Sequence, residues 1–246
     1  MMRVLLVDNM TPSDPGQVLK ALREAGAELD LRKPYAGDPL PSDSDDHDAM
    51  VVFGGEQSAI DDAVHPYLPT LAGLMRRFSD AGKSVLGICL GSQLLARAHG
   101  GDNLLGGSRE FGWHEITLTH EGRGDPVLSA AGDAFDSFQW HSDSFTLPAG
   151  AVHLAMNAAV ANQAFCIGRA AYGMQFHFEA NRQVVVDWNV AFADQIDRID
   201  PDWLASYPEH EARHAAGADA AGLALARAWV ATIRTEAVAE HAEAAT

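Results

Sequence analysis

Blocks of branched apolar residues alternate with segments of helical spacing through the first hundred positions of the chain. RVLLV, at residues 3–7, is a short run of the kind that forms a buried strand. PGQVLKALREAG then places Val18, Leu19, Leu22 and Ala25 on one helical face, with Gly26 able to cap the end. A second strand is expected around residues 28–31. KPYAGDPLPSDSDDHD, rich in proline, serine and aspartate, reads as a loop. AMVVF is the next strand and runs into the glycine pair Gly54 and Gly55. Leu68, Leu71, Met75 and Phe78 recur at helical spacing, and Gly82 ends that helix. SVLGI is a further strand, and SQLLARAHG after it has helical character. Strands and helices alternating at this spacing argue for an α/β fold, a doubly wound and mostly parallel sheet with helices on both faces.

After Gly100 the rhythm changes. HEITLT, AFDSF, VHLAM, AFCIG and AAYGMQF are short strands separated by turn residues, which extend the sheet and add an antiparallel portion. Val184, Trp188, Phe192 and Ile196 step by four and predict one helix, and Leu225, Trp229 and Ile233 predict another. The tail from Ala239, rich in alanine and glutamate, is expected to fray. With no internal repeat and no separating linker, residues 1–246 read as one domain with a helical C-terminal extension from about residue 200.

Composition changes this picture little, but it narrows the partners. The 246 residues carry a formal net charge of −17 with no cluster of lysines and arginines, which disfavours nucleic acid and anionic membranes. The apolar start is too short for a secretion signal. The longest stretch without formal charge, LPAGAVHLAMNAAVANQAFCIG, is interrupted by His153, Asn157, Asn162 and Gln163 and suits two strands better than a membrane span. Two cysteines, Cys89 and Cys166, are too few for a disulfide framework. A reducing, cytoplasmic setting is the expectation.

Candidate chemistry begins with LGICLGSQ at residues 86–93, where Cys89 stands between Gly87 and Gly91. A strand before and a helix after are the context of a nucleophile elbow, a sharp turn that presents its central residue. Side chains at the two glycines would collide with adjacent backbone, and the free N–H groups of the following helix favour a thiolate over a thiol. The competing reading is a small buried cysteine filling a tight connection. A thiol nucleophile needs a base, and a base needs an orienting group. GMQFHFEAN supplies both: on an extended chain His177 and Glu179 share one face, and Phe176 and Phe178 take the other. The oxyanion formed by attack on a carbonyl needs donors. The Leu90 amide is one candidate, and the loop at Gly54 and Gly55 is on the same sheet edge.

FGGEQS, GICLGSQ and QFHFE, in this order, resemble the class I glutamine amidotransferase family over most of the chain. The resemblance implies a doubly wound α/β domain that hydrolyses the side-chain amide of glutamine through a glutamyl thioester and releases ammonia. It implies Cys89 as nucleophile, His177 as base and then acid, and Glu179 as orienting group. Gly55 and Leu90 would give oxyanion amides, and Gln93 would contact the substrate beside Gly54. QWHSDSF resembles the segment whose backbone holds the amino-acid end of the substrate, which places Ser142 and Asp143 there and His141 near by as a packing or binding residue. No cofactor and no metal are implied. One departure is Phe178, where the family most often has a proline that fixes the backbone between histidine and glutamate. Another is the absence of a phosphate-binding loop: LLGGSREFGWHE does not match that pattern, so a synthetase or other ammonia acceptor would be a separate molecule.

Other readings stay open at this level. A γ-glutamyl peptidase or transferase would attack the same carbonyl and differ only in its leaving group, with Trp113 and Trp140 either capping a small glutamine or stacking on a larger substrate. A non-catalytic α/β module, or a redox sensor built on Cys89 beside an acid, would make QFHFE superfluous. His210 and His214, four apart, could share a metal, but no third ligand stands out and a solvated helix face is favoured. Cys166 has neither elbow nor nearby histidine and reads as core.

Overall fold

The computed structural model describes residues 1–235, so the tail from Ala239 lies outside the described residues. The alternation in the first half becomes β1 (Arg3–Val7), α1 (Gly16–Glu24), β2 (Glu28–Arg32), β3 (Ala49–Val52), α2 (Leu68–Asp80), β4 (Ser84–Ile88) and α3 (Leu90–Ala98). The second half adds β5 (Asn103–Leu104), β6 (Glu110–Leu118), α4 (His120–Gly124), β7 (Ala134–His141), β8 (Ser144–Phe145), β9 (Val152–Met156), β10 (Ala164–Ile167) and β11 (Ala171–Met174). Helices α5 (Arg182–Ala191), α6 (Ala193–Ile199), α7 (Trp203–His210) and α8 (Ala216–Val230) complete the order.

Nine strands form one sheet in the order β2-β1-β3-β4-β11-β10-β9-β6-β7. The first five are parallel and the remainder antiparallel, as the change of rhythm after Gly100 predicts. β5 and β8 make a separate two-stranded ribbon that the sequence pattern does not reveal. Parallel strands covered on both faces read as unbroken apolar runs, and β1 shows why. Val4 and Leu6 point into a core shared with Val18 and Leu22 of α1 and Leu225 and Trp229 of α8. Leu5 and Val7 point the other way, against Leu71 and Met75 of α2 and Leu94 of α3.

Two helical expectations are corrected. The segment expected as one helix through Val184 and Ile196 is two, because Phe192 leaves helical geometry (φ −118°, ψ 25°) between α5 and α6. The bend lets Trp188 and Phe192 both meet Trp140 edge-on, at centroid distances of 5.7 and 5.5 Å. The last helix ends at Val230, so Ile233 packs on the core from beyond it. Its first part, α7, contains Pro208 and joins α8 through a π-helical segment, Glu211–Ala215. α5, α6 and α7 enclose a third core of aromatic residues, including Trp113, Phe138, Trp188 and Trp203. That core backs one wall of the cavity described next.

Candidate active site

The elements that matter end at one edge of the parallel sheet. β1 delivers Asn9, β3 delivers Gly54 and Gly55, β4 delivers Cys89, and the segment after β11 delivers His177. Open α/β sheets place their ligands at this carboxyl edge.

Cys89 is the one non-glycine residue with positive φ among the described residues, at φ 51° and ψ −109°. Such backbone is held only when neighbours over-determine it. Here the Cys89 amide donates to Met174 O at 2.8 Å, and its carbonyl accepts from Ser92 N at 3.0 Å and Ser92 Oγ at 2.7 Å. The flanking glycines have the predicted steric cause: a Cβ on Gly87 would overlap the Gly91 carbonyl, and one on Gly91 would overlap the Val52 carbonyl. Cys89 Sγ lies 3.8 Å from Trp140 O.

His177 and Glu179 come together, though not on a strand. β11 stops at Met174, and His177 makes an isolated antiparallel bridge with Phe138 before the chain turns. The side-chain alternation survives this bend. Phe176 and Phe178 go into the core, whereas His177 Nδ1 meets Glu179 Oε1 at 2.7 Å. Phe178 does not need the ring of a proline to fix this turn. His177 N donates to Phe138 O at 2.8 Å, and Glu179 O accepts from Gln17 N at 2.9 Å. The His177 ring stands beside Cys89 across Gly54 and meets Trp188 edge-on, at a centroid distance of 5.2 Å. Burial alone would lower the His177 pKa, but the charges of Glu179 and Cys89 and the hydrogen bond to Glu179 outweigh it and raise it from 6.5 to about 10. A Cβ on Gly54 would stand 2.9 Å from His177 Cε1 and 3.4 Å from Cys89 Cβ, so glycine there leaves room for the pair.

A cavity of about 500 Å³ opens over this group. Gly55, Cys89, Leu90, Gln93, Ser142, Asp143 and His177 line it, whereas Glu179 and Gly54 stand behind. Leu90 is the first residue of α3, so its amide has no acceptor within the helix. Gln93 Nε2 donates to Asp143 O at 3.2 Å and to Gln175 Oε1 at 3.1 Å, which ties α3 to the Ser142 and Asp143 segment. Asp143 Oδ1 in turn accepts from Gly106 N at 2.8 Å.

Sequence reasoning misses a second buried pair on the same cavity. His141 Nε2 meets Glu110 Oε2 at 3.0 Å, and His141 Nδ1 meets Asp143 O at 2.9 Å. Glu110 also accepts from Asn157 Nδ2 at 2.5 Å and Gln163 Nε2 at 2.7 Å. Burial pushes the Glu110 pKa up, but these hydrogen bonds and the charge of His141 hold it below the ordinary carboxylate value. The partners come from β6, β7 and the loops around β10, so no local motif could announce them. Arg109, Arg198 and Glu56 also line the cavity and carried no sequence signal.

Four further residues are placed away from the cavity. Trp113, expected beside it with Trp140, packs instead against Trp203 and Tyr207, at centroid distances of 5.8 and 6.0 Å, because α7 covers that part of β6. Cys166 is buried in β10, and burial with the nearby Asp125 charge pushes its thiol up to about 12. His214 pairs with Asp136 at 2.8 Å, and His210 stacks on Trp203 at 5.0 Å, so this helix face is engaged rather than simply solvated.

Comparison with known proteins meets this geometry. The family model for glutamine amidotransferase class-I matches residues 6–184. The chain belongs to the class I glutamine amidotransferase family. It is thus an amidotransferase-type enzyme. It is 33% identical over 187 residues to the glutamine amidotransferase-like protein YfeJ of Salmonella typhimurium, covering 75% of this chain and 78% of that one. It is 38% identical over 111 residues to a GMP synthase [glutamine-hydrolyzing] of Chromobacterium violaceum, covering 41% of this chain but only 20% of that protein. A glutamine amidotransferase crystal structure from Thermotoga maritima superposes with a TM-score of 0.79 at 27% identity, covering 93% of this chain and 98% of that one. One from Methylobacillus flagellatus gives 0.80 at 27% identity, covering 96% and 97%. No helix of this amidotransferase among the described residues is long and apolar enough to cross a membrane.

Proposed function

We propose that this amidotransferase hydrolyses the γ-amide of a glutamyl substrate, glutamine in the simplest case, with Cys89, His177 and Glu179 as its triad. The observation that carries the reading is the Glu179–His177 pair standing beside Cys89 on one cavity, with Cys89 held in strained backbone at the start of α3.

The sulfur attacks the γ-carbonyl carbon as its proton passes to His177. The carbonyl electron pair moves to oxygen, and the amides of Leu90 and Gly55 are assigned as its donors. His177 then gives its proton to the leaving nitrogen, the C–N bond breaks, and ammonia departs from a glutamyl thioester. Water attacks the thioester as His177 takes one of its protons. Collapse breaks the C–S bond, the thiolate recovers its imidazolium partner, and glutamate leaves. Glu179 holds the imidazole by Nδ1, so the other ring nitrogen faces the sulfur. Gln93, braced against Asp143, keeps the Ser142 and Asp143 segment in place for the amino-acid end of the substrate.

The test is a coupled assay for ammonia and glutamate with mass-spectrometric mapping of the site modified by a glutamine-analogue electrophile. Equal release of both products and a label on Cys89 are expected. A label on Cys166, or no release from any γ-glutamyl compound, would sink the proposal.

A further inference from the structure

The charges left over in the cavity do not match free glutamine. Arg109 and Arg198 both line it, and neither has a hydrogen-bond or ion-pair partner among the described residues. Arg23, Arg77 and Arg213 are also without such a partner among the described residues, but none of them lines this cavity. Of the cavity's acids, Glu110 is occupied by His141, Asn157 and Gln163, and Asp143 holds Gly106 N. Only Glu56, on the loop after Gly55, is likewise without a partner among the described residues. Outward of the Ser142 and Asp143 segment, the open charges are therefore one carboxylate and two guanidiniums. Glutamine presents one ammonium and one carboxylate. A γ-glutamyl amino acid presents one ammonium and two carboxylates; with the glutamyl end assigned to the Ser142 and Asp143 segment, the carboxylate on the leaving amine is the one left to the guanidiniums.

The room agrees with the charge. A cavity of about 500 Å³ is in the range that holds drug-sized ligands, well beyond a single glutamine. Arg109 and Arg198 are exposed, whereas Cys89 and His177 are buried. The guanidiniums therefore stand at the mouth, outward of the bond to be cut. Trp140, Trp188 and Phe192 give the cavity a rigid aromatic wall between the two levels.

We infer that the preferred substrate is a γ-glutamyl amino acid or short γ-glutamyl peptide, whose leaving amine carries a carboxylate read by Arg109 and Arg198. This rests on the thioester reading above. The chemistry is the same, except that His177 protonates the nitrogen of an amino acid rather than ammonia, and the products are glutamate and that amino acid.

The experiment compares γ-glutamylglycine with γ-glutamylglycinamide, which differ only in the distal charge. In the unaltered enzyme, kcat/KM should favour the carboxylate by about fivefold to tenfold, the range that one or two solvent-touched ion pairs supply, and added salt should shrink the preference. In the double variant R109Q/R198Q the ratio should fall to about one. Equal kcat/KM for the two compounds in the unaltered enzyme would overturn the inference. So would a double variant that loses both substrates in the same proportion, because the arginines would then serve the glutamyl end. Binding of the two compounds to Cys89→Ser by calorimetry gives the same comparison without turnover. If neither compound is hydrolysed but the preference appears in binding, the thioester mechanism fails and the charge reading stands. If both are hydrolysed without preference, the reverse holds.

Discussion

Two buried histidine–carboxylate pairs stand at the same cavity, and only one of them leaves a ring nitrogen without a hydrogen-bond partner among the described residues. His177 uses Nδ1 on Glu179 at 2.7 Å and leaves its other nitrogen toward Cys89. His141 uses both nitrogens, on Glu110 at 3.0 Å and on Asp143 O at 2.9 Å. Both ring nitrogens are therefore engaged, and neither is left toward the cavity. The carboxylates differ in the same sense. Glu179 Oε2 has no hydrogen-bond partner among the described residues, whereas Glu110 accepts from three side chains. Chemistry needs a group with an unfilled valence for proton exchange; architecture fills every one.

Changes at the first pair should separate it most sharply from the second. Cys89→Ser and His177→Ala are each expected to lower hydrolysis by at least about 10³-fold with little change in folded content, read by ammonia release and circular dichroism. Glu179→Gln should cost about 10²- to 10⁴-fold and also move a pH limb. The folded pKa of His177 lies above its unfolded value. Its protonated form therefore stabilises the fold fully below about pH 6.5, and that contribution is lost as pH rises toward 10. Removing the Glu179 charge should shift the alkaline limb of Cys89 alkylation to lower pH, and an unmoved limb would deny Glu179 its part.

The second pair should respond through stability. Glu110→Ala is expected to cost about 3–5 kcal/mol in denaturant unfolding, because it strands His141 without its buried partner. The alkylation rate of Cys89 in the molecules that stay folded should remain within about threefold of the unaltered enzyme, since His177 and Glu179 are untouched. A collapse of that rate would mean that the two pairs are coupled. Smallest of all, Cys166→Ala should leave hydrolysis unchanged and cost about 1 kcal/mol, with Cys89 as the sole thiol labelled under native conditions.

The sequence made the α/β alternation plain because parallel strands buried on both faces write themselves as apolar runs, as RVLLV and AMVVF do. Cys89 and the His177 and Glu179 pair were readable for a local reason. The glycines two positions either side of Cys89 and the two-residue spacing of the acid carry their geometry within a few residues. Glu110 was not readable, since its partners His141, Asn157 and Gln163 meet it only across strands. Arg109 and Arg198 look like any surface arginine until the fold turns both toward one cavity. The break at Phe192 was hidden because apolar residues four apart look the same whether one helix carries them or two packed on a common tryptophan.

β11 lies directly beside β4, and Met174 O accepts the Cys89 amide at 2.8 Å, yet the strands are separated by the whole antiparallel region. A growing chain therefore displays its thiol long before the backbone acceptor and the imidazole that complete its surroundings have been made. Until that late strand slots in, the Cys89 amide lacks its acceptor and only Ser92 holds the bend. The proposed triad is in this way assembled only in the finished polypeptide.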